Sequence, residues 1–190
     1  MEQFIIFFIS VLVVLSILNH MKKIKNITYV ISPIDNRKYL VRKEKDSLDA
    51  ANLLAELNKH IQNIINACQN TDKENANLLI ERYNPETLSE TIPGSTNFVS
   101  YSLNKGQKIA ICLRNLDNTF MKMNTILFVT IHELAHVMTI STGHTKEFWS
   151  NMKFILEQAE KAGIYQPVNY NKYPEYYCGM EINSTPYDFK

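Results

Sequence analysis

Cysteine is scarce in this sequence. Cys68, Cys112 and Cys178 form an odd set without a Cys-x-x-Cys pair. They read as free thiols rather than a disulfide framework, the expectation for a protein kept on the reducing side of a membrane. A surplus of one charge is missing too, since 20 Lys/Arg face 19 Asp/Glu. The balance is uneven along the chain: eight basic against two acidic residues in 22–45, and twelve against sixteen in 46–190. The acidic surplus of the longer part argues against a broad phosphate-binding surface, and so against nucleic acid as a partner. There is neither an internal repeat nor a low-complexity segment.

Long apolar runs are absent except for one. Residues 4–18, FIIFFISVLVVLSIL, hold two serines and no charge. Counted from Met1, the stretch ahead of His20 approaches the ~20 residues needed to cross a bilayer. A secretory signal peptide is the competing reading, but no basic residue precedes the run and no small-residue cleavage pair follows it. The expectation is therefore an uncleaved single-pass membrane anchor over residues 1–21. Lys22, Lys23 and Lys25 follow it closely, which places the N-terminus outside and the rest on the cytoplasmic or virion-interior side. The basic segment could also touch anionic headgroups.

The 190 residues suit one domain plus this appendage. The runs ITYVI and KYLVR, parted by SPIDNR, predict a hairpin within residues 22–45. Residues 46–164 form the expected core. Leu48, Ala51, Leu54, Leu57, Ile61, Ile64, Ile65 and Cys68 recur at helical spacing. Thr71 and Glu74 fit a capping box that predicts a second helix to about Arg82, stopped by Asn84-Pro85. FVSYSL and KIAICL flank Asn104-Lys105-Gly106-Gln107 and predict a second hairpin over 98–113, with Gly106 free to take a positive φ. Asn124 or Thr125 is positioned to cap a helix through ILFVTIHELAHVM, and Thr145 a last helix closed by Gly163. Residues 165–190, rich in Tyr and Pro, should extend over the core. Segregated helices and antiparallel strands suggest an α+β fold.

The chemistry concentrates in TIHELAHVMTISTGHTKEFW, residues 130–149. Side chains four apart lie on one side of a helix, so His132 and His136 can aim two imidazoles at one ion. Glu133, next to the first, can hold a water without binding the metal. Zn2+ takes three protein ligands and a water in a catalytic site and lowers that water's pKa to about 7. The carboxylate then acts as general base on the zinc-bound water. Burying two histidines and a glutamate on so apolar a helix is costly without a shared partner. The plainer alternative is two ordinary hydrogen-bonded histidines. A third ligand is open between His144, beside the Gly143 turn, and Glu157 or Glu160 on the next helix, with His144 favoured as nearer. His20 and His60 carry no assigned role. Tyr170, Tyr173, Tyr176 and Tyr177 are candidates for an oxyanion donor, though tail packing explains each of them as well. Cys112 and Cys178 lack any spacing that would support a nucleophile. The edge of the 98–113 hairpin could take up an extended peptide as an added strand.

HELAHVMTISTGHTKEFW resembles the zincin metallopeptidases of the WLM and SprT-like kind. Their pattern is H-E-x-x-H, a variable stretch, and a third histidine followed by an aromatic residue, matched here by His132, Glu133, His136, His144, Phe148 and Trp149. The resemblance implies His132, His136 and His144 as Zn2+ ligands, Glu133 as general base, and a small zincin-like core with a strand pair ahead of the active-site helix. With its anchor and its EYYCGMEINSTPYDF tail, the chain is also similar to membrane-anchored metallopeptidases of large DNA viruses. Thr139 stands where the metzincin glycine would be, so that group is excluded. The expected function is a membrane-anchored zinc metallopeptidase acting on a protein or peptide. The alternatives are an inactive zinc-stabilised binding module on a membrane and, ranked last, a DNA–protein crosslink protease. The last is what relatives of this kind often are, but the acidic core and the lack of a DNA-binding module oppose it. The oligomeric state is left open.

Overall fold

The computed structural model describes residues 2–91 and 99–189, without the side chains of 2, 3, 17 and 19–25. ITYVI and KYLVR form the predicted hairpin, β1 (Ile27–Ile31) and β2 (Lys38–Arg42), paired antiparallel with Tyr29 opposite Leu40. Its turn is held by Asp35, whose carboxylate accepts from the Arg37 N–H at 3.1 Å and the Tyr39 hydroxyl at 2.6 Å. The amphipathic run becomes α2 (Ser47–Gln69) and buries Ala51, Leu54, Leu57, Ile61, Ile64, Ile65 and Cys68 against the sheet. Leu48, expected on that face, is exposed instead.

The sheet is mixed, with strand order β1-β2-β3-β5-β4. β4 (Tyr101–Leu103) and β5 (Lys108–Ile111) are the second predicted hairpin, antiparallel as expected. Phe98, the first residue of its predicted span, lies outside the described residues. β3 (Leu88–Glu90) was not expected. It pairs parallel with both β2 and β5, so the antiparallel expectation holds only for the hairpins. Three buried residues offer no alternation to read.

The helix expected from Thr71 shrinks to α3 (Leu78–Arg82). The Thr71 hydroxyl donates to the Cys68 carbonyl at 2.6 Å and closes α2 rather than opening a new helix. Asn84-Pro85 does stop the helix, with Tyr83 already extended. The histidine helix is α4 (Met123–Met138), and α5 (Lys146–Lys161) packs along it. Lys122 precedes α4 without a side-chain cap. Asn124 and Thr125 are used by the tail instead: Asn124 exchanges hydrogen bonds with the Gln166 backbone at 2.9 and 2.8 Å, and Thr125 donates to Glu175 at 2.7 Å. Thr145 does cap α5, accepting from the Phe148 N–H at 3.3 Å, and Gly163 ends it with φ +69°.

The tail buries Tyr165, Tyr170 and Tyr177. It also forms an unforeseen hairpin, β6 (Glu175–Tyr177) and β7 (Met180–Ile182). A disulfide between Cys112 and Cys178 fastens that hairpin to the end of β5, leaving only Cys68 free and buried. This corrects the expectation of three free thiols; residues 66 apart in sequence give no local signal of pairing. Cross-linking so long a loop restricts the unfolded chain. Replacing Cys178 by Ser should lower stability by about 2–4 kcal/mol, read as a lower denaturation midpoint. An unchanged midpoint would mean that the tail is held by packing alone.

Residues Glu2–Lys25 form α1. Its apolar part, residues 4–18, is about 22 Å long at the helical rise, short of the ~30 Å hydrocarbon core. Among the described residues no helix is long and apolar enough to cross a membrane. That overturns the expected single-pass anchor, and with it the placement of the N-terminus outside and the catalytic domain inside.

Candidate metal centre

α4 turns its apolar side to the core, burying Ile126, Leu127, Ile131, Leu134 and Met138, and presents His132, Glu133 and His136 to a cleft. The cleft, about 580 Å³, runs between β4 with its following turn, residues 100–105, and the 142–144 segment beyond α4. No residue of 165–189 lines it, so the tail supports the site from behind rather than filling it.

The α4–α5 connection brings in the third histidine. α4 stops at Thr139, whose side chain donates to the Ala135 carbonyl at 2.6 Å and accepts from Asn151 of α5 at 3.0 Å. Glu147, in the first turn of α5, then takes the Ile140 N–H at 2.9 Å, the Ser141 N–H at 3.2 Å and the Ser141 hydroxyl at 2.6 Å. These bonds hold the Glu147 carboxyl below its usual range. Gly143 supplies the reversal with φ +81°, and His144 swings back over α4.

The three imidazoles form a nearly equilateral group. Ring centroids are 5.0 Å apart for His132–His136, 4.9 Å for His132–His144 and 5.0 Å for His136–His144. One ring nitrogen from each lies within 4.8 Å of the others, and the Nε2 atoms of His132 and His144 are 3.1 Å apart. Tetrahedral ligands at ~2.0–2.1 Å from an ion stand about 3.3 Å from one another, so the group fits a shared cation. Phe148 is the floor, its buried ring 4.3 Å from His136, 4.7 Å from His144 and 4.9 Å from His132. Trp149 stands half-exposed beside His144 at 5.6 Å. Glu157 and Glu160, the alternative ligands, are not part of the group, and Glu160 accepts a bond from Tyr187 of the tail.

Electrostatics suit ligation. Burial, then the neighbouring imidazoles, lower His132 to about 3. Burial, His144 and Lys105 lower His136 to about 4. Both are therefore neutral at pH 7, the form that binds a metal. Burial raises Glu133 to about 7, with a backbone hydrogen bond from Ser102 working the other way. A carboxylate poised there can take and return a proton near neutrality.

The tyrosines proposed as oxyanion donors do not line the cleft. Tyr170 packs on Phe128 at 4.6 Å, Tyr173 and Tyr176 are exposed, and the Tyr177 hydroxyl donates to the Cys112 carbonyl at 2.8 Å. Tyr177 also pairs with the Ser100 hydroxyl at 2.7 Å, behind the cleft wall. Sequence reading did not find Ser102 or Glu147. The first acts through its backbone, and the second became visible only once the turn was folded.

The WLM domain family model matches residues 32–179, most of the chain and the whole of this site. The chain belongs to the WLM domain family. This WLM chain is similar to an uncharacterised protein of Acanthamoeba polyphaga mimivirus, 32% identical over 82% of each chain. It is also similar to uncharacterised proteins of Invertebrate iridescent virus 6, at 36% identity, and Invertebrate iridescent virus 3, at 41%. Those two matches cover 35% and 36% of the WLM chain and 38% and 43% of the viral proteins. Among solved structures, Wss1 from Saccharomyces cerevisiae superposes with a TM-score of 0.48 at 22% identity, covering 65% of this chain and 89% of that one.

Proposed function

We propose that this WLM domain is a zinc-dependent metallopeptidase that hydrolyses peptide bonds. The observation that carries the reading is the equilateral imidazole group with Glu133 beside it in an open cleft. His132, His136 and His144 would hold the ion, and three nitrogen donors with no carboxylate among them suit Zn2+. Zinc bound there supplies Lewis acidity, acidifying a water and polarising the substrate carbonyl. Glu133 accepts the proton of the attacking water and returns it to the departing amine. Phe148 keeps the back of the imidazoles dry.

The substrate chain has a place to lie. Among the described residues β4 is the last strand of the sheet, paired with β5, and it borders the cleft. An extended peptide adding to the other edge would be held by main-chain hydrogen bonds and carried past Glu133. That mode accepts many sequences and favours unfolded segments. The full-length protein should therefore cleave an unfolded protein substrate, lose cleavage to a chelator and regain it on adding zinc. Cleavage that persists after complete zinc removal would contradict the reading. The inactive-module alternative had a tail filling the cleft as its physical cause, and no residue of 165–189 lines the cleft, which favours hydrolysis.

A further inference from the structure

The turn between β4 and β5 has an unusual backbone. Asn104, Lys105 and Gly106 have consecutive positive φ values of 46°, 55° and 103°. Left-handed backbone is easy for glycine and tolerated by asparagine, but unfavourable for lysine. Gly106 is also wedged, since a Cβ there would stand 2.9 Å from a Val137 methyl and 3.0 Å from the Arg82 carbonyl. Strain of this kind persists where surrounding contacts over-determine it, often at functional sites.

The strained conformation aims Lys105 across the mouth of the cleft. Its ammonium donates to the Thr139 carbonyl at 2.8 Å and the Ser141 carbonyl at 2.6 Å. Both carbonyls belong to the segment that leaves α4 and carries His144. Glu147 grips the N–H groups of Ile140 and Ser141 in the same segment. The 139–141 stretch is thus clamped twice, by a cation on its carbonyls and by an anion on its amides. Lys105 does this from the sheet side, from the hairpin whose β4 forms the cleft wall. Two of its three ammonium protons are engaged, so it is poorly placed to bind substrate charge.

We propose that Lys105 is a positioning residue that fixes the 139–141 segment so that His144 faces His132 and His136. The proposal rests on the zinc-site reading above. Groups that orient metal ligands without touching the metal affect its affinity by about 10–100-fold. An unclamped His144 would spend part of its time away from the other two, weakening binding by that route.

The test compares full-length wild type with Lys105→Met, Lys105→Arg and His144→Ala. Zinc affinity is read by chelator competition, ligand geometry by cobalt(II) absorption, and folding by melting of the metal-free forms. Lys105→Met should weaken zinc binding about 10–100-fold and move the cobalt spectrum toward that of His144→Ala. Lys105→Arg, with donors for two carbonyls, should restore both readouts. Zinc affinity unchanged in Lys105→Met overturns the proposal alone. So does an arginine variant that recovers metal-free melting but not zinc affinity, because the clamp on the 139–141 segment would then be restored without its effect on the metal. A wild type that binds no zinc, or a His144→Ala protein that binds it undiminished, overturns the zinc-site reading together with this proposal.

Discussion

Replacing Glu133 by Gln should leave zinc bound at about one per chain and cut kcat by about 10²–10⁴-fold, the range for losing a general acid–base group. The amide has nearly the same shape, so the buried position stays filled and α4 undisturbed. Glutamine cannot take a proton, which separates this variant from one that empties the site. KM should change little, because Glu133 acts on the water rather than on the peptide. Burial raises Glu133 to about 7 in the metal-free site and a bound cation lowers it again, so the wild-type rate should fall on the acid side of that region as the carboxylate is protonated, and the residual rate of the Gln variant should lack that limb. A Gln variant as active as wild type would remove Glu133 from the chemistry, and loss of zinc in that variant would mean it is a ligand instead.

The second large effect lies away from the cleft. Arg114 and Glu90 are a buried ion pair, each side chain 1% exposed, with Arg114 Nε donating to Glu90 Oε1 at 2.8 Å. Arg114 Nη1 donates to Asp46 at 2.6 Å, just ahead of α2, and the guanidinium lies 4.4 Å over the Phe120 ring. The other Glu90 oxygen accepts from the Arg42 N–H at 2.7 Å. One guanidinium thus joins β2, β3, the start of α2 and the loop after β5. Removing one partner strands the other charge in the core, so Arg114→Ala or Glu90→Ala should cost about 3–5 kcal/mol. In a chain of this size that is about 6–20 °C in Tm. Replacing both at once by apolar residues of similar volume should cost less than either single change, since no charge is then left unpaired in the core and Asp46, which loses its partner too, is 36% exposed. If the double variant is the worst of the three, the pair stabilises the fold outright.

The Asp46 end of this network sets a pH dependence. The hydrogen bond from Arg114 holds the Asp46 carboxyl below its ordinary value. A folded pKa depressed in this way gives stability that is present above the unfolded aspartate range and lost as pH falls through the lowered value. An Asp46→Asn variant should therefore be less stable than wild type near neutrality, with the gap closing in acid.

The features legible in the sequence were those that local spacing encodes. α2 could be read from its apolar period, both sheet hairpins from their turns, and His132, Glu133 and His136 from one helical turn. His144 was legible only as a histidine beside a glycine, because its return to α4 depends on Glu147 and Lys105 gripping the turn from two sides. β3 was missed because its three residues are all buried and their partners are distant parallel strands. The Cys112–Cys178 pairing, the Glu90–Arg114 pair and the engagement of Asn124 and Thr125 by the tail arise from tertiary contacts with no short-range trace. Thr71 shows the reverse error: a good local capping signal was overridden when its hydroxyl found the Cys68 carbonyl. The apolar N-terminal run was legible as a helix, but its length falls short of the span expected of it.

The most direct test of the central claim is an anomalous difference map, at the zinc absorption edge, from crystals of the purified chain. The account predicts a single strong peak inside the His132, His136 and His144 group, ~2.0–2.1 Å from one nitrogen of each ring. A map with no peak there, or with the ion held by other residues, would contradict it.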